Sequence, residues 1–417
     1  MERIILHSDI NACYANIELL HRPELRGQPV AVAGAPEARH GVILAKSELA
    51  KAAGVKTGMT LWQARRCCPE LVVLPPRMPL YARFAGYVRE IYADYTDRQE
   101  PFGLDESWLD LSGCTGDGTA AAEEIRRRVR EELGLTVSIG VSWNKVFSKL
   151  GSDYRKPDAV TALDRDNYRE LLWPLPVESL LCVGRATGRK LRLFGISTIG
   201  QLAAVDPSLL QPRLGKMAYT LWAFANGLEH SPVRRADRAA PVKSIGNSTT
   251  TPRDLCCDAE VRVTLLALAE SVGARLRAQE LRAGLVELGV RDAASLDWKL
   301  HQRKLLVPTD LTLEILELGF SLFRELHQWP APIRSLSIRC DHLSSAASPV
   351  QTDLFGEQEK RDALRRLDGS IDRLRDRFGY DIIRRGTAAG DLSLGRLNAR
   401  EDHTVHPVGF FNGRTAV

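Results

Sequence analysis

No stretch of about 18 consecutive apolar residues occurs in the 417-residue chain, so no transmembrane helix is expected and no membrane partner is implied. The opening residues, "MERIILHSDINACY", carry an acid at position two and no cleavable apolar core, which argues against a signal peptide and for a cytoplasmic protein. The eight cysteines never fall at C-x-x-C spacing. Two pairs are adjacent, Cys67–Cys68 and Cys256–Cys257, so a structural zinc site is not indicated and reduced thiols are the plain reading. No internal repeat is visible. Charge of one sign is also in short supply: the formal net charge is +5 and the pI about 8.8, which permits an anionic partner without demanding one. The remaining balance, 44% hydrophobic and 26% charged, is that of ordinary globular chains with ample core material. The length suits roughly two to four domains.

The first 160 or so residues read as a mixed α/β unit. "RIILHSDI" (3–10) and "PVAVAG" (29–34) have the short apolar runs of buried strands. "GVILAKSELAKAAGV" (41–55) passes from strand to helix, and "TLWQARRCCPEL" (60–71) is a helix stopped by its proline. Residues 81–96 predict an amphipathic helix with Tyr81, Phe84, Val88, Ile91 and Tyr95 on one face. A hairpin at 100–111, a helix at 118–134, a strand at 136–144 and a helix at 145–157 follow. From about Asp164 to Leu228 the pattern is helical, and the basic, proline-containing 231–243 resembles a linker. A second α/β segment comes next: helix 259–281, strand 284–292, helix 309–326 and strand 333–343. A highly charged helix at 357–377 precedes a tail rich in Gly, Arg and His.

The chemistry concentrates in "EPFGLDESWLDL" (100–111). Asp105 and Glu106 are adjacent, and neighbours on a regular strand point to opposite faces. They reach one site only if the backbone is irregular there, for which Gly103 is suited. Asp9 ends the first strand. If that strand lies beside the hairpin, three carboxylates converge, and they cannot all ionise without a cation. Oxygen donors without cysteine or histidine select Mg²⁺ or Mn²⁺. A carboxylate-held metal pair about 3.5–4 Å apart is a standard device for in-line phosphoryl transfer. The plainer reading is a solvated turn, and Asp110 is expected to be such a solvated acid on the outer side of the hairpin.

Five stretches then occur in order: "HSDINACYANIE" (7–18), "GVILAKSELAKAAGVKTGM" (41–59), "CPELVVLPP" (68–76), "EPFGLDESWLDL" (100–111) and "GVSWNKVFSKLGSDYRKPD" (140–158). Together they resemble the Y-family translesion DNA polymerases of the bacterial DNA polymerase IV branch, over most of the chain to about residue 385. The resemblance implies a right-hand α/β multidomain fold: palm at 1–18 and 76–163, fingers at 19–75, a helical thumb at 164–230, a linker at 231–241 and a C-terminal α/β little finger at 242–345. Residues 346–417 would hold a clamp-binding loop, the charged helix and the tail. It implies low-fidelity, template-directed addition of dNMPs to a primer, without proofreading, by a protein expected to be monomeric. The family's metal-binding acids match Asp9, Asp105 and Glu106, with the Ile10 carbonyl as a further ligand for two Mg²⁺ (or Mn²⁺). Its aromatic steric gate against a ribose 2′-hydroxyl matches Tyr14, and its triphosphate lysine matches Lys156. This chain departs from the family's finger-helix Y-x-x-R, reading Glu48 and Lys51. Lys51 keeps a point charge without the guanidinium fork, and Lys46 and Arg39 are candidates to compensate. Asn11 and Cys13 replace the usual second acid and aromatic, and the small Cys13 loosens the pocket beside the gate.

For the primer-template, "LLCVGRATGRKLRLFGISTIGQLA" (180–203) has helix-hairpin-helix spacing. Gly184 would turn backbone amides toward a phosphate while Arg185, Arg189 and Lys190 add charge, binding without reading sequence. Its glycine spacing is wrong for a P-loop. Lys243, Ser244 and Arg253 in "KSIGNSTTTPRD" suit a phosphate backbone, and "HQRKLL" (301–306) is a further contact segment. "QTDLF" (351–355) resembles the bacterial sliding-clamp-binding pentapeptide, with Gln351, Leu354 and Phe355 as its anchors. Two other classes compete. A catalytically silent clamp-binding adaptor would be expected to have lost the acids. A nucleotide cyclase would need neither a thumb nor a template-binding unit.

Overall fold

The structure is a computed structural model that describes residues 3–34, 41–114, 116–238, 241–349, 357–389 and 391–395. The chain divides into two compact units, the second made mainly of the described residues from Pro241 onward. Among the described residues no helix is long and apolar enough to cross a membrane.

The first unit is built on strand β1 (Ile5–Ile10), whose six residues are all buried. In chain order it continues with α1 (Cys13–His21), β2 (Val30–Ala33), β3 (Ile43–Lys46), α2 (Glu48–Ala52), α3 (Leu61–Cys67), β4 (Val72–Leu74) and α4 (Met78–Ala93). Then come β5 (Gln99–Pro101), β6 (Glu106–Asp110), α5 (Gly118–Leu133), β7 (Val137–Ser142), α6 (Lys145–Tyr154) and β8 (Val160–Ala162). The main sheet has the order β5-β6-β1-β7-β8, with β1 antiparallel to both neighbours. Because both faces are covered, nearly every residue of β1, β6 and β7 is buried, polar ones included. Alternation still sorts the side chains. Leu6 and Ile10 join the core formed with α4 and α5, where the Tyr92 hydroxyl donates to Ser8 Oγ at 2.7 Å. His7 and Asp9 point the other way and meet residues at or just beyond α6.

A three-stranded sheet, β3-β2-β4, carries α2 and α3 over a small core of Ala31, Ile43, Val55 and Leu61. Helices α7 (Tyr168–Leu172), α8 (Arg185–Arg192), α9 (Ile199–Ala204), α10 (Pro207–Leu214) and α11 (Met217–Ala225) pack around Leu180, Leu191, Leu202 and Leu221. The expected helix-hairpin-helix is present as α8 and α9.

The second unit is a four-stranded antiparallel sheet ordered β11-β10-β12-β9. Its strands are β9 (Ile245–Leu255), β10 (Leu281–Asp292), β11 (Trp298–Thr309) and β12 (Ile333–Ser345). Helices α12 (Asp258–Ala278) and α13 (Thr312–Leu326) cover one face through Leu265, Val286, Ile315 and Ile338, and α14 (Glu357–Phe378) packs on α12. Two expectations need correction. Residues 298–309 form a strand that sequence reading marked only as a contact segment. It is an exposed edge strand whose middle carries Lys299, His301, Arg303 and Lys304, with only the short Leu305–Val307 run to announce it. Asp110 is not solvated: β6 lies between β5 and β1, which buries its side chain and leaves it to accept from the Ser112 amide at 3.0 Å, with Arg98 3.6 Å away.

Close approach of α6 to β7 rests on glycine. A Cβ at Gly140 would overlap the Ser148 carbonyl and the Ser152 amide, which are backbone atoms that cannot swing aside, and Gly151 lies against it on the helix. Gly140→Ala is therefore expected to destabilise the first unit by about 3 kcal/mol or more, the upper range for overpacking. Urea unfolding followed by far-UV circular dichroism measures it, and a change under about 1 kcal/mol would contradict this packing account.

Candidate active site

β1 and β6 pair so that Asp9 stands opposite Glu106. Just before β6 the backbone is irregular: Gly103 has φ 85°, Phe102 donates to the Glu106 carbonyl, and the Ile10 amide donates to the Asp105 carbonyl at 3.0 Å. This bend lets Asp105 reach the cleft while Glu106 stays on the strand facing Asp9. The three acids thus gather at one end of the central strands. Around them lies an open cleft of about 330 Å³, lined by Asp9, Cys13, Tyr14, Lys51, Asp105 and Lys156 among others. The cleft also touches Ile10 and Asn11. Glu106 does not line it.

Like charges placed opposite each other repel, and cations offset this. The Lys156 ammonium is 2.7 Å from Asp9 Oδ2 and 2.7 Å from Asp153 Oδ1. Lys149, on α6, is 2.8 Å from Glu106 Oε2. Buried His7 hydrogen-bonds Glu106 Oε2 at 3.2 Å and Ser152 Oγ at 2.8 Å. The acids respond differently. Burial pushes Asp9 up to about 7, against the pull of Lys156 and with a further push from Glu106. Burial and then Glu106 also raise Asp105. For Glu106 burial acts upward too, but His7 and Lys149 outweigh it and bring the carboxyl down to about 2. Among the described residues no three His, Cys, Asp or Glu side chains are gathered into a ready metal cage. Two of the acids instead face ammonium groups.

The ring of Tyr14, on α1, stacks on Tyr81 with centroids 4.5 Å apart and planes 9° from parallel. The Tyr81 hydroxyl donates to Glu18 Oε1 at 2.7 Å, and Arg77 grips both Glu18 oxygens at 2.9 and 2.6 Å. Burial and then the Asp105 charge push the Tyr14 hydroxyl up to about 12. Cys13 is buried, its thiol pushed well up by burial and then by Asp105 and Asp9. Asn11 is engaged structurally: its Oδ1 accepts from Ser138 at 2.9 Å and its Nδ2 donates to Thr136 at 3.2 Å. Lys51 is exposed and paired with Glu48 at 3.2 Å.

In the helical part, Gly184 is the N-cap of α8, and Arg185, Arg189 and Lys190 are exposed on or beside it. In the second unit Lys243 is exposed and Ser244 half-buried just before β9. Arg253 is less available, because its guanidinium is held by Glu260 and by Asp391 at 2.5 Å. Gln351, Leu354, Phe355 and Arg39 lie outside the described residues.

Residues 8–153 match the impB/mucB/samB family, and residues 242–354 match the C-terminal domain of that family. DNA polymerase IV from Acetivibrio thermocellus is 47% identical over 400 residues, covering 95% of this chain and 100% of that protein. The chain belongs to the Y-family DNA polymerases, in the DNA polymerase IV branch. DNA polymerase IV 1 from Bacillus subtilis is 37% identical over 391 residues, 92% of each chain. A solved Y-family DNA polymerase chimera of Dbh and Dpo4 superposes with a TM-score of 0.71 at 20% identity, covering 81% of this chain and 98% of that one. The Y-family right-hand fold is therefore shared.

Sequence reading missed His7 and Lys149. Each had a signal: His7 is two residues from Asp9 and so on the same strand face, and Lys149 sits one turn after Lys145 on the helix that follows β7. The raised Asp9 gives a pH prediction. An acid with a folded pKa above its ordinary 3.8 leaves the folded state holding more protons between about pH 4 and pH 7. Stability contributed there is present at low pH and lost as pH rises through about 7. In EDTA-containing buffer, Asp9→Asn is expected to flatten this fall in unfolding free energy between pH 5 and 8, by about 1–3 kcal/mol once solvent screening is allowed for, read from urea unfolding at each pH. Parallel pH profiles of the two proteins would refute the assignment.

Proposed function

We propose that this chain is a DNA-directed DNA polymerase that extends a primer on a DNA template by nucleotidyl transfer and serves translesion synthesis at low fidelity. The observation that carries this reading is the single cleft onto which Asp9, Asp105, Tyr14, Lys51 and Lys156 all open. The palm is assigned to 1–18 and 76–163, the fingers to 19–75, the thumb to 164–230, a linker to 231–241 and the little finger to 242–345.

Asp9, Asp105, Glu106 and the Ile10 carbonyl are oxygen donors suited to hard divalent cations, and the two carboxylates that burial holds above their ordinary range gain from a cation's arrival. Two Mg²⁺ ions, with Mn²⁺ as a substitute, would supply charge neutralisation for the attacking and departing oxygens of the transferred phosphate. The protein's own groups do the rest. Lys156 and Lys51 offer ammonium donors to the triphosphate. His7 and Lys149 fix the Glu106 carboxylate and keep it ionised. The Tyr14 ring, held flat against Tyr81, leaves no room for a 2′-hydroxyl. Exposed Arg185, Arg189 and Lys190, and Lys243 and Ser244 in the second unit, supply phosphate contacts to the primer-template that are independent of sequence. Clamp binding through Gln351, Leu354 and Phe355 rests on sequence alone.

The test is primer extension with dNTPs and rNTPs on undamaged and damaged templates. Asp105→Ala and Glu106→Ala are each expected to lower incorporation by about 10³-fold or more, the loss of several kcal/mol of transition-state charge stabilisation. An adaptor would show no extension at all, and a cyclase would consume nucleotide without primer or template. Tyr14→Ala is expected to raise rNTP over dNTP use by about tenfold or more while dNTP addition persists. An unchanged ratio would remove the gate from Tyr14.

A further inference from the structure

Three ammonium groups line one cleft: Lys46, Lys51 and Lys156. Two are matched by carboxylates, Lys51 by Glu48 at 3.2 Å and Lys156 by Asp9 and Asp153 at 2.7 Å each. Lys46 differs. Its Nζ donates to the hydroxyl of Thr57 at 3.2 Å, and among the described residues no carboxylate lies within ion-pair distance of it. Thr57 lines the same cleft.

The position is built rather than incidental. Lys46 ends β3, in register with Ala31 of β2. The next residue, Ser47, is buried and pins the strand-to-helix junction: its Oγ accepts from the Val30 amide at 3.0 Å and from the Ala50 amide at 3.3 Å. The half-buried Lys46 therefore has a fixed root and a short reach into the cleft. Burial, then the charges of Lys51 and Lys156, hold its ammonium below the ordinary range. A cation in that setting is stabilised by an arriving anion. A polyvalent anion suits the cleft, since it meets Lys46 while competing with the carboxylates that hold Lys51 and Lys156.

We propose that Lys46 is the principal phosphate-binding residue on the β3–α2 side of the cleft, receiving the polyphosphate tail of the incoming nucleoside triphosphate, and that Glu48 opposes it by holding Lys51. The proposal rests on the polymerase reading for the identity of the nucleotide, though not for the anion site itself. Lys46 binds; Lys51 joins only to the extent that Glu48 releases it; and the carboxylate of Glu48, itself lining the cleft, repels the tail.

The test uses the full chain in single-nucleotide incorporation, with inorganic tripolyphosphate as a separate probe. Lys46→Ala is expected to raise the dNTP KM about tenfold or more while kcat moves by less than about threefold, as for loss of a charge-assisted contact made equally in ground and transition states. Tripolyphosphate affinity, titrated calorimetrically without primer or dNTP, should fall in parallel, and primer-template affinity should not change. Lys46→Arg should recover most of the loss, and Glu48→Gln should lower KM and tighten tripolyphosphate. An unchanged KM in Lys46→Ala, or a loss carried by kcat or by DNA affinity, overturns the proposal. If wild type fails to extend primers, the polymerase reading fails, while the tripolyphosphate titration still decides Lys46. Should Lys46→Ala melt early, Lys46→Gln and Glu48→Gln keep the comparison, since a shift of tripolyphosphate affinity in opposite directions is not a folding effect.

Discussion

Two carboxylates facing each other across a strand pair are the constraint on which the first unit turns. The β1–β6 register places Asp9 opposite Glu106, and Asp105 adds a third charge at the bend. Such an arrangement is unfavourable in isolation. It is held by cations from the chain that follows β7: Lys149 from α6 and Lys156 from just beyond its end. Lys149 lies within the helix, whereas the chain turns extended at Arg155 and from there Lys156 reaches Asp9. Their ammonium groups reach the acids because α6 lies against β7 and β1, and it does so because Gly140 and Gly151 meet without side chains between them. The glycines, the lysines and the acids are one device. None of the three is intelligible alone.

The two opposed acids are not equivalent, and the difference follows from their partners. Glu106 has a buried imidazole and an ammonium on the same oxygen, so it is an anion of fixed position across the working pH range. Among the described residues Asp9 has only Lys156, which also faces the cleft and Asp153. Lys156 is thus shared between two carboxylates, and Asp9, with burial pushing it up to about 7, is held as an anion less firmly than Glu106. Preorganisation sits with Glu106 and responsiveness with Asp9. Tyr14 belongs to the preorganised side, since its ring is backed by Tyr81, whose hydroxyl is fixed by the Glu18–Arg77 pair.

Much of this could be read from the residues. The hairpin at 100–111, the irregular backbone around Gly103 and the pairing of the hairpin with the strand of Asp9 follow from apolar runs and one glycine, whereas among the described residues the three acids form no ready metal cage, Asp9 and Glu106 facing lysines instead. The helix-hairpin-helix, and most helices and strands, follow from periodicity and stops. What escaped has a common cause: it depends on neighbours distant in sequence. Asp110 looks like a surface acid until β5 is laid beside β6. The strand at 298–309 lies on an exposed edge with four consecutive polar residues, His301 to Lys304, in its middle, so no period-2 pattern marks it. His7 and Lys149 read as an unremarkable histidine and a helix-face lysine, and only the fold brings both to one oxygen of Glu106.

The second unit shows why counting charges misleads about a nucleic-acid partner. The helix at 357–378 is among the most charged segments of the chain, yet much of that charge is spent inward. Arg277 of α12 binds Asp372 at 2.6 Å and Asp368 at 3.2 Å, while Glu270 gathers Arg375, Arg385 and the Tyr380 hydroxyl, at 3.1, 3.1 and 2.9 Å. Asp368 and Arg375 are buried, so these pairs hold α14 to α12. Removing one partner would strand a buried charge, a larger effect than the pair's net contribution. Arg253 is likewise consumed by Glu260 and Asp391. The sheet face away from the helices is less charged, and register there places Ser248 beside Ser337 and Arg339 beside Glu287. A residue's charge therefore counts toward an anionic partner only after its neighbours in the fold are known: Arg339 itself is paired with Asp341 at 2.8 Å.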